Sequence, residues 1–406
     1  MARRLIWVQP LTLEQRDRAK RSFATRRVPE EAMRTLIGGS VRPRSGDVVL
    51  ARIHRLSNHR HVEQFDGRRA KLHTEDTVIL SYADRYATDQ FESEVPADLG
   101  RTQLVASGGI ASGVVSRSMD VRSATDIVPI GLIGDDRGRP LNLASFGLTP
   151  VTSLGSRPRT VAVFGTSMNS GKTTTLHYLV HSLSRAGYRP GATKVTGTGS
   201  GNDYWVMMDA GAHHMLDFTD VGLASTYKQS IALLERKFTE LIDHLTDSGA
   251  GVNLVEIADG LLQLETAQLI ESETFRSTID AVLFAANDAM GAAMGVSHLR
   301  DRGYDVVAVS GRLTRSPLAV REAQLATGLP ILGIAELGDL AVVSGLLGLD
   351  PPLENDRFVE PQVAWPVPTP VAEFTGRKND QTPSDNLSDE RFVRSDQLAD
   401  MDAAQT

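Results

Sequence analysis

A short apolar run, Val161-Ala-Val-Phe164, ends in Gly165, and a small polar loop then closes with Gly171-Lys172-Thr173. Beyond it Leu176, Leu179, Val180 and Leu183 recur at helical spacing. This is the strand, loop and helix of a phosphate-binding loop. Backbone N–H groups from Asn169 to Thr174 can wrap a phosphate at the helix N-terminus, where the aligned peptide dipoles favour negative charge. Lys172 is placed to reach the β- and γ-phosphates, and the Thr173 hydroxyl to hold Mg²⁺. Thr166, Asn169, Ser170, Gly171, Lys172, Thr173 and Thr174 form the expected nucleotide-binding set. One spacing is unusual: five residues, not four, separate Gly165 from Gly171, so Thr166 stands at the usual first-glycine position.

From Thr160 to about residue 350 apolar runs alternate with helical patterns. The expected strands are Val161–Gly165, Gly191–Val195, Val252–Ile257, Ala281–Ala285, Val306–Val309 and Ile331–Ile334. Such alternation predicts an α/β domain, a parallel sheet of the P-loop NTPase kind covered on both faces, with ligands at the C-terminal ends of its strands. Ahead of it, residues 46–145 hold short β-like runs separated by turns such as Asp66-Gly67, which predicts a small, mostly-β module, barrel-like in outline. Residues 1–45 read as a helical arm bearing Arg16, Arg18, Arg21, Arg26 and Arg27, taken as a solvated face. Ser145–Arg159, rich in Gly, Pro and Ser, reads as a linker, and residues 370–406 as a disordered acidic tail.

Composition narrows the function. There are no cysteines, which removes thiolate chemistry, disulfides and cysteine-ligated metals. A net charge of −7 argues against nucleic acid or an anionic membrane as partner, since either favours a basic face. No apolar run approaches a membrane span, and the N-terminus lacks the apolar core of a signal peptide, so a cytoplasmic location is expected. The expected partner is a small-molecule substrate, and a homodimer is compatible with the chain.

The loop, written Gly-Thr-x-x-x-x-Gly-Lys-Thr, resembles that of dethiobiotin synthetase, and further matches follow in order. Gly187-Tyr-Arg-Pro-Gly-Ala-Thr-Lys194 is similar to the family's second strand, whose final lysine meets substrate and phosphates. Thr196-Gly-Thr198 stands where the family has a small hydroxyl residue, and Asp203 where it has an aspartate near the metal. Asn253-Leu-Val-Glu256 matches the strand whose glutamate coordinates Mg²⁺, and Leu329–Ile334 resembles a late strand. The resemblance implies Lys172 and Lys194 as catalytic residues, Thr173, Glu256 and Asp203 as metal ligands, and ATP as the nucleotide. Three departures separate the chain from the synthetase itself. Glu256-Ile-Ala-Asp-Gly260 replaces a glycine-rich segment, Ala308-Val-Ser-Gly311 replaces the base-reading Val-Ala-Asn, and the β-rich module has no counterpart. Asp217-Phe-Thr-Asp220 is also similar to part of an uncharacterised two-domain family with a synthetase-like C-terminal half.

The residues speak for themselves as well. A charge at the end of the apolar strand at Glu256 is costly without a cation, although a carboxylate there can also cap a helix. Lys194 reads either as a phosphate contact or as a solvated strand end, and Asp203 either as a ligand or as an Asx turn. His213 and His214 are adjacent and point apart, so they do not make a metal site. Thr198, Asp217 and Asp220 are expected to meet substrate, with helix capping the rival role for the two acids. The leading expectation is a Mg²⁺- and ATP-dependent ligase or synthetase that activates a carboxylate or carbamate. The alternatives are a regulatory or adaptor NTPase acting on a protein, and an acyl-CoA-type group transferase on the same fold.

Overall fold

The computed structural model describes residues 6–151 and 155–351. Residues 160–351 build a six-stranded sheet, every neighbouring pair parallel. We number its strands β1 (Thr160–Gly165), β2 (Pro190–Lys194), β3 (His214–Asp217), β4 (Val252–Glu256), β5 (Ala281–Ala285) and β6 (Val306–Ser310). Their spatial order is β3-β2-β4-β1-β5-β6. The strands are apolar on both faces because both are covered. Val161 and Val163 pack under α1 (Lys172–Arg185) with Leu176, Leu179 and Leu183. Ala162 and Phe164 point the other way, toward Phe238, Leu241 and Leu245 of α3 (Ile231–Asp247). The helix α2 (Gly201–Asp209) follows β2.

The expected Ile331–Ile334 strand is replaced by one parallel bridge between Val309 and Ile331, and Ile334 opens a helical turn. Glu336 reaches back to the Gly333 N–H at 2.9 Å and so favours the turn over an extended run. The sixth strand is β3 instead, from the segment set aside for substrate.

The N-terminal part forms a nine-stranded sheet. Strands Thr125–Gly134, Val48–Arg55, Thr77–Tyr82, Ile110–Arg117 and Thr102–Ala106 pair in a closed ring, which makes a small barrel. Alternate residues sort the two sides: Val49, Ala51, Ile53, Val78 and Leu80 share one cluster, and Val48, Leu50 and Ile79 another.

Residues 6–45 do not form a helical arm. Among the described residues of this stretch only Leu13–Arg18 is α-helical, started by a capping box between Thr12 and Gln15. Ile6–Pro10 and Thr35–Gly39 are antiparallel strands that extend the barrel sheet, because Leu36 and Ile37 have apolar neighbours there to bury against. The acidic tail lies outside the described residues. Among the described residues no helix is long and apolar enough to cross a membrane.

Candidate functional site

Gly165 ends β1 and Gly171 opens α1 with a φ of 106°. A Cβ on Gly165 would overlap the Ser170 hydroxyl, and one on Gly171 would stand 2.9 Å from Gly311 Cα. Asn169 takes a positive φ of 60°, and together these residues fold the loop over the helix N-terminus. Lys172 curls back across the loop and donates from Nζ to the Ser167 carbonyl at 2.8 Å and the Asp259 carbonyl at 2.6 Å. Burial pushes its pKa down to about 8, with Glu256 and Asp259 partly offsetting the shift.

Asn169, Gly171, Lys172, Thr173 and Thr174 line a cavity of about 890 Å³ at the C-terminal end of the sheet. Thr166 and Ser170 do not line it. The Thr166 N–H donates to the Ala285 carbonyl at 3.0 Å, and fully buried Ser170 accepts at its carbonyl from Arg312 N–H at 2.9 Å. Both thus stand behind the lining, with the Thr166 N–H already held by β5.

Register decides what surrounds Lys194. It lies directly beside Glu256 on β4, so both side chains leave the same face at the same level. Lys194 Nζ donates to Asp203 at the first turn of α2 and stands 3.8 Å from Glu256 Oε1. Burial opposes the charge on Lys194, but Asp203 and Glu256 outweigh it and hold the ammonium above its ordinary pKa. Burial pushes Glu256 up, with Lys194 pulling the other way. The Thr173 hydroxyl donates to Glu256 Oε1 at 3.2 Å. A hydroxyl and a carboxylate in contact at a phosphate loop are hard oxygen donors that fit Mg²⁺, with phosphate and water completing the shell. Asp203 fits less well, because its carboxylate is already bound to Lys194. Among the described residues no cluster of three or more His, Cys, Asp or Glu has metal-holding geometry.

Thr198, expected to meet substrate, lines the cavity. Asp217 and Asp220 lie outside its lining, buried under the barrel module. Arg26 reaches down to them, with Nη2 at 2.6 Å from Asp220 and 3.2 Å from Asp217, while its other arm bonds Thr219. Phe23 and Tyr204 flank the guanidinium. Their surroundings make the two acids an anchor for the module, and Arg26 is no solvated arginine.

The far wall of the cavity belongs to the barrel module, which the sequence had not connected with the loop. Asn58, His59, Arg60 and His61 come from one turn, and Arg85, Tyr86 and Gln90 from another. His59 Nδ1 lies 3.1 Å from the Leu104 carbonyl, and burial, with Arg85 nearby, lowers its pKa to about 4. Asp259, missed as well, takes a φ of 63°, and burial raises its carboxyl to about 6 against the pull of Lys194 and Lys172. Its one sequence signal was a charge in place of glycine after β4. The module also grips the loop directly: Asp89 Oδ2 accepts from Asn169 Nδ2 at 2.8 Å.

No protein-family model matches the chain, and no curated protein matches it. Among solved structures it is similar to the signal recognition particle receptor FtsY from Elizabethkingia anophelis, at 13% identity and a TM-score of 0.31, over 44% of this chain and 58% of that one. It is similar to the signal recognition particle 54 kDa protein from Aeropyrum pernix K1, a GDP complex, at 18% identity and a TM-score of 0.30, over 51% and 53%. A DUF1611 family protein from Anabaena variabilis matches at 14% identity and a TM-score of 0.35, over 49% and 62%. The chain thus spans between 53% and 62% of the length of these three proteins. At such values the likenesses add nothing to the P-loop architecture already visible in the sheet and loop.

Proposed function

We propose that this chain is a group-transfer enzyme that binds a phosphate-bearing co-substrate on the loop and a small metabolite in the cavity beside it. One observation carries the reading. The loop, Lys194 and the polar wall of the barrel module all open into a single chamber large enough for two small reactants. A switch that reports nucleotide state to a protein has no need of a chamber roofed by its own chain.

The leading form is ATP-dependent activation of a carboxylate or carbamate, as in dethiobiotin synthetase, supported by the loop and by the order of Lys194 and Glu256 along the chain. Mg²⁺, when bound, neutralises charge on the phosphate oxygens. Thr173 and Glu256 would hold it, and Lys172 would leave the Ser167 and Asp259 carbonyls for the terminal phosphates. Lys194 would face the oxygen of the acceptor, kept charged by Asp203 and Glu256. A specific observation favours a second form. Lys194 stands within ion-pair reach of both Asp203 and Glu256 and offsets part of their charge, an arrangement suited to a phosphate-bearing carrier of the acyl-CoA type handled without a metal.

Binding and turnover of Lys172→Ala and Glu256→Gln test both forms. Lys172→Ala is expected to weaken binding of the phosphate ligand at least a hundredfold, about 2.7 kcal/mol, with little change in melting temperature. Unchanged affinity would sink the phosphate-loop assignment. Glu256→Gln should raise the Mg²⁺ requirement of turnover in the ATP form, and turnover that is indifferent to Mg²⁺ in wild type supports the carrier form.

A further inference from the structure

Arg85 is the most buried charged group of the barrel module on the cavity wall. It is 6% exposed, lines the same chamber as Lys172, and sits on the turn between strands Thr77–Tyr82 and Phe91–Glu94. Among the described residues its guanidinium is held by uncharged acceptors only: the Val105 carbonyl and Gln90 Oε1, the latter at 3.0 Å. Its Nε is buried without a partner among the described residues. Asp89 and Asp259 act on it only from beyond ion-pair distance, and burial lowers its pKa to about 10. A guanidinium does not give up its proton in a protein, so a full positive charge stands here with no anion beside it. Burying such a charge unpaired is costly, and it persists where something outweighs the cost.

The turn that carries Arg85 is fastened to the phosphate loop. Asp89, four residues on, binds the side chain of Asn169, and its other carboxylate oxygen is buried and unpaired. Asp259 lies between the two cations: its carbonyl accepts from Lys172, and its carboxyl feels Lys172 and Arg85 together. Gln90 holds one arm of the guanidinium, so its approach is set before any ligand arrives. Lys172 and Arg85 thus face one chamber from opposite modules.

Building on the phosphate-site reading above, we propose that Arg85 is a second phosphate-binding residue, supplied by the barrel module, whose guanidinium contacts the phosphate group of the bound co-substrate from the side opposite Lys172. The missing anion is the ligand itself. Each Nη holds one protein acceptor and keeps a second N–H, so the planar fork can offer two donors to phosphate oxygens. No partner protein is needed to deliver it, because the module that carries it is part of the same chain. A nucleoside triphosphate and coenzyme A both present this chemistry, so each is a separate arm of the test.

Calorimetric titration of the full chain with ATP–Mg²⁺ and, separately, with coenzyme A decides the matter, using wild type, Arg85→Gln, Arg85→Lys and Lys172→Ala. Whichever ligand wild type binds and Lys172→Ala loses should bind Arg85→Gln at least tenfold more weakly. Arg85→Lys should be at least threefold weaker, because one ammonium cannot reproduce the fork. Melting temperatures without ligand establish that each variant is folded, and Arg85→Lys serves alone if Arg85→Gln is not. Wild-type affinity in a folded Arg85 variant, with Lys172→Ala impaired, overturns the role of Arg85 and leaves the loop assignment standing. Binding by wild type that Lys172→Ala leaves intact, or no binding of either ligand, overturns both.

Discussion

His59 shows how a single side chain is fixed by what lies behind it. Its Nδ1–H donates to the Leu104 carbonyl, Phe91 packs near its ring, and Arg85 faces it across the cavity wall. A cationic neighbour and burial both disfavour a second proton, so the folded chain binds it far more weakly than the unfolded chain, where the pKa is 6.5 against about 4. Stability is therefore complete above the ordinary histidine range and is lost as pH falls from 6.5 toward 4. The expected loss between about pH 7.5 and about pH 4.5 is about 2.5 kcal/mol from this group. Urea denaturation of wild type and His59→Gln at the two pH values measures it as the difference between their losses. Equal losses would mean that the folded protein admits the proton. Lys194 obeys the same logic with the opposite sign, since two carboxylates surround it and keep it charged.

At the scale of elements, one contact between the two modules is backbone to backbone. The turn between strands Thr102–Ala106 and Ile110–Arg117 brings Gly108 against Gly199, just ahead of α2, so tightly that a Cβ on Gly108 would overlap the Gly199 carbonyl oxygen. Neither backbone can yield as a flexible side chain would. Gly108→Ala is expected to cost about 1–3 kcal/mol and to weaken ligand binding, with the barrel strands intact. Gly155→Ala, where a Cβ meets nothing within 4 Å, is the control. A Gly108→Ala protein that melts and binds like wild type would show that the turn can slide.

Elements also differed in how far they could be read from residues alone. Strands β1, β2, β4 and β5 stand out because a strand buried on both faces is an apolar run between turns. Edge strand β3, His214-Met-Leu-Asp217, carries polar ends and reads as a ligand segment. The loop lysine and Thr173 could be placed in advance, since loop and helix are contiguous. The partners of Arg26 could not, because they lie 191 and 194 residues away and no local pattern signals a pair at that distance. For the same reason the arginine-rich start reads as a solvated helix, and the cavity wall from the barrel was invisible.

In the whole molecule the barrel and the sheet domain belong to one compact unit, and Arg26 is the most buried of the arginines and lysines whose ion pairs join them. Glu63 assists by accepting the Gly201 N–H of α2 at 2.7 Å, and Lys228 reaches Glu94 at 2.5 Å. The second pair is exposed and contributes little, whereas the Arg26 cluster is buried. Arg26→Leu would strand Asp217 without a cation and leave Asp220 only Arg27, at 3.5 Å, at a cost of about 3–5 kcal/mol. Scanning calorimetry should show one transition in wild type, with a lower first transition split off in the variant. A single transition at the wild-type temperature would mean that the acids are satisfied some other way.

That long-range clasp sets a clock on the newborn chain. Arg26 emerges from the ribosome well before its acids, and at about 5–20 residues per second the wait for Asp217 is about 10–40 s. Once the last barrel strand, ending at Gly134, has been made, the barrel carries a bare guanidinium flanked by Phe23 until Asp217 arrives, a surface open to whatever acidic chain passes first. A ribosome that stalls before Asp217 would release a barrel with its clasp open. Slower translation between residues 30 and 220 should therefore raise the share of chains caught by chaperones without altering a single contact in the finished protein.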